Sequence, residues 1–202
     1  MSNTPGLIRP MGERKIRFCV FGGTFDPIHN AHLAVARAAL DTFHLDYVLF
    51  IPAGTPPHKT GVTRTPFAHR IRMVELACAS APYFRVSRME EGTERSYSLY
   101  TIERLRQQHP TDQISFLIGA DAFAEIETWH RWEELVRMVD FIVVSRPGAE
   151  YNIPPGARVQ RLDNVSLPIS SSEIRKRLAK GDGPSDLPAA VLNYAREHRL
   201  YS

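Results

Sequence analysis

Short apolar runs alternate with segments of helical periodicity along most of the chain. The run KIRFCVFGG at 15–23 ends in glycines, and AHLAVARAALDTF, from residue 31, has apolar residues at helical intervals. The run YVLFIPAG at 47–54 is almost continuously apolar, which is typical of a strand buried on both faces. The pattern therefore predicts a strand, a helix and a second strand parallel to the first.

The same alternation continues further along the chain. Helical periodicity returns in FAHRIRMVELACAS, YSLYTIERLRQQH and WEELVRMV, and extended segments follow in YFRVSRME, ISFLIGA and FIVVSRP. After the run at 158–163, two more helical segments lie near 170–180 and 188–198. We predict an α/β fold with a doubly wound parallel sheet, helices on both faces and a small helical C-terminal part.

Length and composition indicate a globular protein. The chain has 202 residues, of which 43% are apolar and 23% charged, which is suited to one domain with a substantial core. We predict a flexible leader at 1–14 and a single domain at 15–202. The loops at 52–66 and 145–157 both follow predicted strands, so they should emerge at the carboxyl edge of the sheet, where ligands bind.

Charge, hydropathy and cysteine content bear on the partners and the compartment of the protein. The formal net charge is only +3, with no long Lys/Arg block, so neither nucleic acid nor a membrane is the expected partner. No run approaches the ~18 apolar residues of a membrane span. Cys19 and Cys78 lack metal-ligand or CxxC spacing, and we predict two reduced core thiols in a cytoplasmic protein.

The segment GGTFDPIHNAHL at 22–33 has the composition of an anion-binding turn. Gly22 and Gly23 end the first strand, where glycine permits positive φ and close approach of the backbone to a ligand. We predict Asn30 as the helix N-cap, with His29 just before the helix and His32 in its first turn. Taken alone, a tight turn with a surface histidine explains each feature, and HxxH is a poor metal site without further ligands.

A second segment, ISSSEIRKRL at 169–178, has related features. Serines at a helix start can cap it and present hydroxyl and N–H groups to a phosphate. Arg175, one turn later, offers a guanidinium that binds phosphate in a bidentate manner. By itself the segment also fits a plain capped basic helix.

Together these motifs resemble a known family. GGTFDPIHNAHL is similar to the signature of the HxGH nucleotidyltransferase superfamily, especially of bacterial nicotinate-nucleotide adenylyltransferases, although Ala31 replaces the usual glycine. ISSSEIRKRL resembles the family's ISxTxIR segment, with Ser172 in place of threonine. Further matches are IPAGTPPHK, SYSLYTI, GADAFAEIETWHRWEEL and LPAAVLNYAREHRLY, so the resemblance covers roughly 15–201. It implies a Rossmann-like sheet.

The resemblance also implies a reaction. The family transfers AMP from ATP to nicotinate mononucleotide, giving deamido-NAD (nicotinate adenine dinucleotide) and pyrophosphate, in NAD biosynthesis. Nicotinamide mononucleotide or phosphopantetheine is the alternative acceptor. A non-catalytic nucleotide-binding regulator and a basic protein that meets nucleic acid are the alternatives outside enzymes.

The family motifs map onto specific residues of this chain. The implied catalytic residues are His29, His32, Lys59 and Arg175. The implied ATP-binding residues are Gly22, Gly23, Thr24, Phe25, His29, His32, Gly119, Asp121, Ile169, Ser170, Ser171, Ser172 and Arg175. The implied nicotinate mononucleotide-binding residues are Gly23, Thr24, Lys59, Tyr97, Ser98, Trp129 and His130. Mg²⁺ is expected to accompany ATP without a protein metal site, and the sequence leaves a homo-oligomer open.

Overall fold

The computed structural model describes most of the chain, and every structural statement below concerns the residues it describes. These are residues 14–55, 65–93, 95–145, 150–163, 165 and 169–202. The predicted leader at 1–14 lies outside them except for its last residue.

Strands and helices alternate, as the sequence pattern predicts. The strands are β1 (Arg17–Gly23), β2 (Tyr47–Pro52), β3 (Phe84–Val86), β4 (Gln113–Gly119), β5 (Asp140–Val144) and β6 (Arg158–Leu162). The helices are α1 (Asn30–Thr42), α2 (Phe67–Cys78), α3 (Ser98–Gln108), α4 (Ala120–Ala124), α5 (Trp132–Met138), α6 (Ser171–Ala179) and α7 (Ala189–Glu197), with a short 3₁₀ turn at Ile126–Thr128.

All six strands are parallel and lie in the order β3-β2-β1-β4-β5-β6. This is the doubly wound, Rossmann-like arrangement, and it confirms the predicted fold class. The strand order reverses between β1 and β4, which are paired from Arg17 with Gln113 to Phe21 with Leu117. In such sheets a crevice opens beyond the carboxyl ends of the two strands at the reversal, and ligands bind there.

Both faces of the sheet are covered by apolar side chains. Within β1, Cys19 faces one cluster with α1, α2 and α7, whereas Phe18 and Val20 face the other with α3 and α5. The alternation follows from the two-residue repeat of a strand. Cys19 and Cys78 are buried free thiols, as predicted, and burial raises the pKa of Cys78 to about 12.

Two local predictions differ from the structure. The N-cap of α1 is His29, not Asn30, whose backbone N–H instead donates to the Asp186 carbonyl at 2.8 Å. The Asn30 side chain donates to the Ser185 carbonyl at 3.1 Å, so contact with the C-terminal part outweighs the capping preference of asparagine. The extended run predicted over 83–90 forms only three residues of strand, Phe84–Val86, at the outer edge of the sheet.

Candidate active site

A cavity of about 290 Å³ lies at the carboxyl ends of β1 and β4, where the strand order reverses. Segments far apart in sequence form its wall: the end of β1, the start of α3, the end of β4 and the turn before α5. The predicted site residues in the wall are Gly22, Gly23, Thr24, Tyr97, Ser98, Gly119, Trp129 and His130. The structure therefore brings some of the residues assigned to each substrate into one wall.

The two glycines of the opening motif serve close approach, not an unusual backbone conformation. Neither uses the positive φ that glycine permits, because both are the last residues of β1 and are extended. A Cβ on Gly22 would meet only the Phe116 ring at 3.5 Å, which leaves room for a ligand above the strand. A Cβ on Gly23 would lie 3.0 Å from the Phe25 ring, so Gly23 is needed for the packing of the loop.

The left-handed position in this loop belongs to Phe25, whose φ is 48°. Its side chain is buried and contacts the His32 ring edge-on, with 5.1 Å between ring centroids. A bulky residue in this backbone region costs about 1–2 kcal/mol, so contacts elsewhere must hold it. Phe25 is thus part of the supporting wall of the loop and does not line the cavity.

His29 and His32 stack on each other, with ring centroids 3.7 Å apart. The His29 backbone N–H donates to His32 Nδ1 at 3.2 Å. Because Nδ1 accepts this hydrogen bond, the neutral ring of His32 carries its proton on Nε2 and presents an N–H donor there.

His29 is 5% exposed, and burial lowers its pKa to about 4, an effect that Asp186 partly offsets. The ring is therefore neutral at pH 7. Its Nδ1 atom is buried and has no hydrogen-bond partner among the described residues. His29 can serve as a neutral donor but supplies no positive charge at neutral pH in this state.

The start of α6 meets the opening loop directly. Ser170 caps α6, as predicted, by accepting from the Glu173 N–H at 3.2 Å. Ser171 donates its hydroxyl proton to the Pro27 carbonyl at 3.0 Å, so that proton is not available to a phosphate. Ser172 accepts from Arg175 at 3.2 Å, and its own hydroxyl proton can still be donated to a ligand.

Arg175 joins the two motifs. Its Nη1 donates to the Asp26 carbonyl at 2.7 Å, while Nη2 donates to Ser172. A guanidinium has five N–H groups, so these two contacts leave three that can bind a phosphate. The side chain is thereby fixed in position and keeps its capacity to bind an anion.

Several predicted residues lie away from the cavity wall. The cavity wall does not include Phe25, His29, His32, the 169–172 segment or Arg175. The loop at 24–29 nevertheless connects these residues to Thr24, which does line the cavity. Asp121 is exposed in the first turn of α4, whose N-cap is Gly119. Lys59 lies outside the described residues. The roles of these side chains remain predictions.

Aromatic side chains surround one end of the cavity. Trp129 is half-buried and packs edge-on against Phe116 at 6.3 Å, so it belongs both to the core and to the wall. His130 Nε2 and the Tyr100 hydroxyl are 3.0 Å apart, and the His130 ring lies 4.4 Å from the Tyr97 ring. This end suits a planar ring that stacks on aromatic groups.

Sequence analysis missed three residues near the site. Arg70 is 1% exposed and donates to the carbonyls of Thr24, Gly54 and Thr65. Glu90 lines the cavity and accepts from Thr101 at 2.6 Å. Tyr201 donates to the Asp26 carboxylate at 2.7 Å. Backbone carbonyl partners leave no trace in sequence, so no motif pointed to Arg70.

Metal centres and membrane spans are two other features that the described residues could form. No group of three or more His, Cys, Asp or Glu in the described part of the chain could hold a metal ion. Within the same residues, we find no helix with the length and apolar character required to span a membrane.

Comparison with known proteins places this geometry in a family. A model of the cytidylyltransferase-like family matches residues 20–177. A probable nicotinate-nucleotide adenylyltransferase of Solibacter usitatus is 58% identical over 188 residues, covering 93% of this chain and all of the relative. One of Citrifermentans bemidjiense is 42% identical, covering 92% of this chain and 98% of the relative.

A solved structure agrees at the level of the fold. Nicotinic acid mononucleotide adenylyltransferase of Plasmodium falciparum, complexed with NaAD, superimposes with a TM-score of 0.77 and 22% identity. The match covers 92% of this chain and 97% of the other. With matches over nearly their full length, this chain belongs to the nicotinate-nucleotide adenylyltransferases of the cytidylyltransferase-like family.

Proposed function

We propose that the chain transfers AMP from ATP to nicotinate mononucleotide, giving deamido-NAD and pyrophosphate, in the biosynthesis of NAD. One observation carries the proposal: a single cavity joins the end of β1 to the start of α3 and to Trp129 and His130. The first segment is expected to bind ATP and the others the pyridine nucleotide. The names of relatives at 58% and 42% identity support the same reaction.

The chemistry needs position and charge rather than a general base. The attacking group is the phosphate of nicotinate mononucleotide, whose second pKa is ~6, so it is already mostly dianionic at neutral pH. The site must hold two anions in line and stabilise the negative charge that develops at the α-phosphate. Hydrogen-bond donors held in fixed positions can do both.

The opening loop and α6 would supply these donors. In this proposal His32 donates from Nε2 to the α-phosphate, with His29 beside it as a neutral partner. The three remaining N–H groups of Arg175, together with the start of α6, hold the β- and γ-phosphates that leave. Lys59 assists from the loop after β2. The cavity is small for a dinucleotide, so the triphosphate lies along the 24–29 loop beside it.

The nicotinate ring would occupy the aromatic end of the cavity and stack on Trp129. The first N–H groups of α3 have no acceptor within the helix and lie in the cavity wall at Ser98 and Leu99. A helix N-terminus favours a negative group, which suits the nicotinate carboxylate. Tyr97 and Ser98 add hydroxyl donors nearby.

Mg²⁺ would arrive with ATP as the Mg·ATP complex. It would neutralise negative charge on the phosphates of ATP. The donor groups of the site, which are imidazole, guanidinium and hydroxyl, fit a ligand whose phosphates already carry their cation. We place the reaction in the cytoplasm, where free thiols such as Cys19 and Cys78 stay reduced.

One observation favours a second acceptor. Glu90 and Glu125 both line the cavity. Carboxylates accept hydrogen bonds from an amide but repel an acid, which favours nicotinamide mononucleotide. However, the Glu90 carboxylate already accepts from Thr101 and, more weakly, from the Gly54 N–H. We therefore place this acceptor second.

Product analysis distinguishes the acceptors. The protein is incubated with Mg·ATP and, in separate reactions, with nicotinate mononucleotide, nicotinamide mononucleotide or phosphopantetheine, and the products are separated by chromatography. Deamido-NAD should form fastest. Faster formation of NAD would favour the second acceptor, and dephospho-coenzyme A without any dinucleotide would reject the proposal.

A further inference from the structure

Side chains of other helices hold the proposed phosphate-binding loop between β1 and α1 by donating hydrogen bonds to its backbone carbonyl oxygens. Arg70 of α2 donates to the Thr24 carbonyl at 2.8 Å, and Arg175 of α6 donates to the Asp26 carbonyl at 2.7 Å. Ser171 of α6 donates to the Pro27 carbonyl. These contacts hold a loop that contains a left-handed Phe25, a conformation that persists only where surrounding structure fixes it.

Tyr201 adds a fourth contact from beyond the end of α7. Its hydroxyl donates to Asp26 Oδ1 at 2.7 Å across 175 positions of sequence. The side chain of Thr65, a residue whose carbonyl binds Arg70, also forms a hydrogen bond with the phenol. Tyr201 therefore joins the same junction as Arg70 and contacts the segment that leads into α2.

The backbone after α7 is shaped to bring Tyr201 inward. The Arg199 N–H bonds to the Arg196 carbonyl at 3.1 Å and the Leu200 N–H to the Ala195 carbonyl at 2.8 Å, which together form a Schellman motif. Arg199 has a φ of 50° and Tyr201 a φ of 69°. Two left-handed residues without glycine are unfavourable, so the contacts of Tyr201 must stabilise this turn.

The surroundings of Tyr201 keep its hydroxyl protonated and hydrogen-bonded to Asp26. Asp26 is 3% exposed, so its carboxylate depends on protein donors instead of water. Burial raises the pKa of Tyr201 well above the physiological range, and the phenol stays protonated. The same Asp26 residue offers its side chain to Tyr201 and its carbonyl to Arg175.

We propose that Tyr201 is a positioning residue for the adenylyl transfer: its hydroxyl fixes Asp26, and Asp26 in turn fixes the guanidinium of Arg175 for the leaving phosphates. The proposal rests on the proposed function. Without the hydroxyl, Asp26 shifts toward other donors and its carbonyl no longer aligns with Arg175. The loss of alignment then appears as a lower kcat/KM for ATP.

The test is Tyr201→Phe in the full chain, which removes one oxygen atom and keeps the ring. The matched control is Tyr194→Phe, which removes a hydroxyl from α7 that contacts His69 Nδ1 at 3.0 Å and not the loop. Steady-state kinetics with Mg·ATP and nicotinate mononucleotide are measured at least 15 degrees below the Tm of each variant, so that only folded protein is compared.

We expect Tyr201→Phe to lower kcat/KM for ATP about tenfold, as the loss of a buried hydrogen bond at a fixed site predicts. The control should stay within threefold of the wild type. A Tyr201→Phe value within threefold of the wild type, whatever its Tm, overturns the proposal, as does an equal loss in the control. A wild-type protein that makes no dinucleotide rejects the proposed function instead.

Discussion

The buried guanidinium of Arg70 ties three loop segments together, and its removal should destabilise the fold strongly. Its Nε donates to the Thr65 carbonyl at 3.1 Å, Nη1 to Thr24 at 2.8 Å and Nη2 to Gly54 at 2.9 Å. The side chain is 1% exposed, so no water can replace these bonds. Arg70→Met preserves most of the volume and removes all three donors.

The magnitude follows from these contacts. A hydrogen bond from a charged donor contributes about 1.5–3 kcal/mol net, and each lost bond leaves a buried carbonyl without that donor. Against this, methionine avoids the cost of burying a cation, the same effect that lowers the pKa of Arg70 despite the nearby Asp26 carboxylate. We expect a net loss of about 3–5 kcal/mol, or roughly 6–20 °C in Tm for a chain of this size.

The assay is urea unfolding followed by circular dichroism, with Arg72→Met as the control. Arg72 lies on the same helix, is exposed and pairs with Glu75 at 3.4 Å, a contact worth at most ~1 kcal/mol. If both variants lose the same stability, the three buried hydrogen bonds do not hold the loops. Arg70→Lys should fall between them, because one ammonium cannot reach three divergent carbonyls.

Three further predictions concern the histidines and the turn after α7. Because burial lowers the pKa of His29 to about 4, the unfolded chain binds a proton between about pH 6.5 and pH 4 that the folded chain does not. Stability should therefore fall by about 3 kcal/mol as the pH drops through that window. In urea titrations at pH 7 and pH 4, the His29→Asn variant should lose less stability than the wild type by this amount. Equal losses in the variant and the wild type would show that His29 does not cause the pH dependence. His32→Ala should lower kcat about 10²–10³-fold with an unchanged circular dichroism spectrum, and near-normal turnover would remove His32 from the chemistry. Arg199→Gly, which relieves a left-handed residue at a φ of 50°, should raise stability by about 0.5–1 kcal/mol in thermal unfolding, and a decrease would show that the arginine side chain matters more than the strain.

The layout of the sheet could be predicted from sequence because its signals are local. The runs of β1, β2, β4 and β5 are largely apolar, and the helices between them show helical periodicity. The run at 15–23 thus predicts β1, which lies at Arg17–Gly23. The short α4 and the 3₁₀ turn were not predicted, because five and three residues are too few to show a period. Their position depends on Phe123 and Ile126 entering the core.

The site could be predicted only in part. Gly22 lies at the end of β1, Ser98 begins α3 and Trp129 follows the 3₁₀ turn, so topology alone brings them to one edge of the sheet. The contacts that shape the loop could not be predicted, because Arg70 and Arg175 bind backbone carbonyls, which every residue possesses. For the same reason a capping preference misassigned Asn30, whose partners are carbonyls near residue 186.

The outer strands of the described sheet have a consequence for behaviour at high concentration. β3 has only three residues, and β6 carries Arg158, paired with Asp140, and Arg161, which lies 4.9 Å from the Tyr151 ring. A very short edge and a positively charged edge are both poor templates for a strand from another molecule. The fold therefore resists edge-to-edge aggregation at both outer strands of the described sheet.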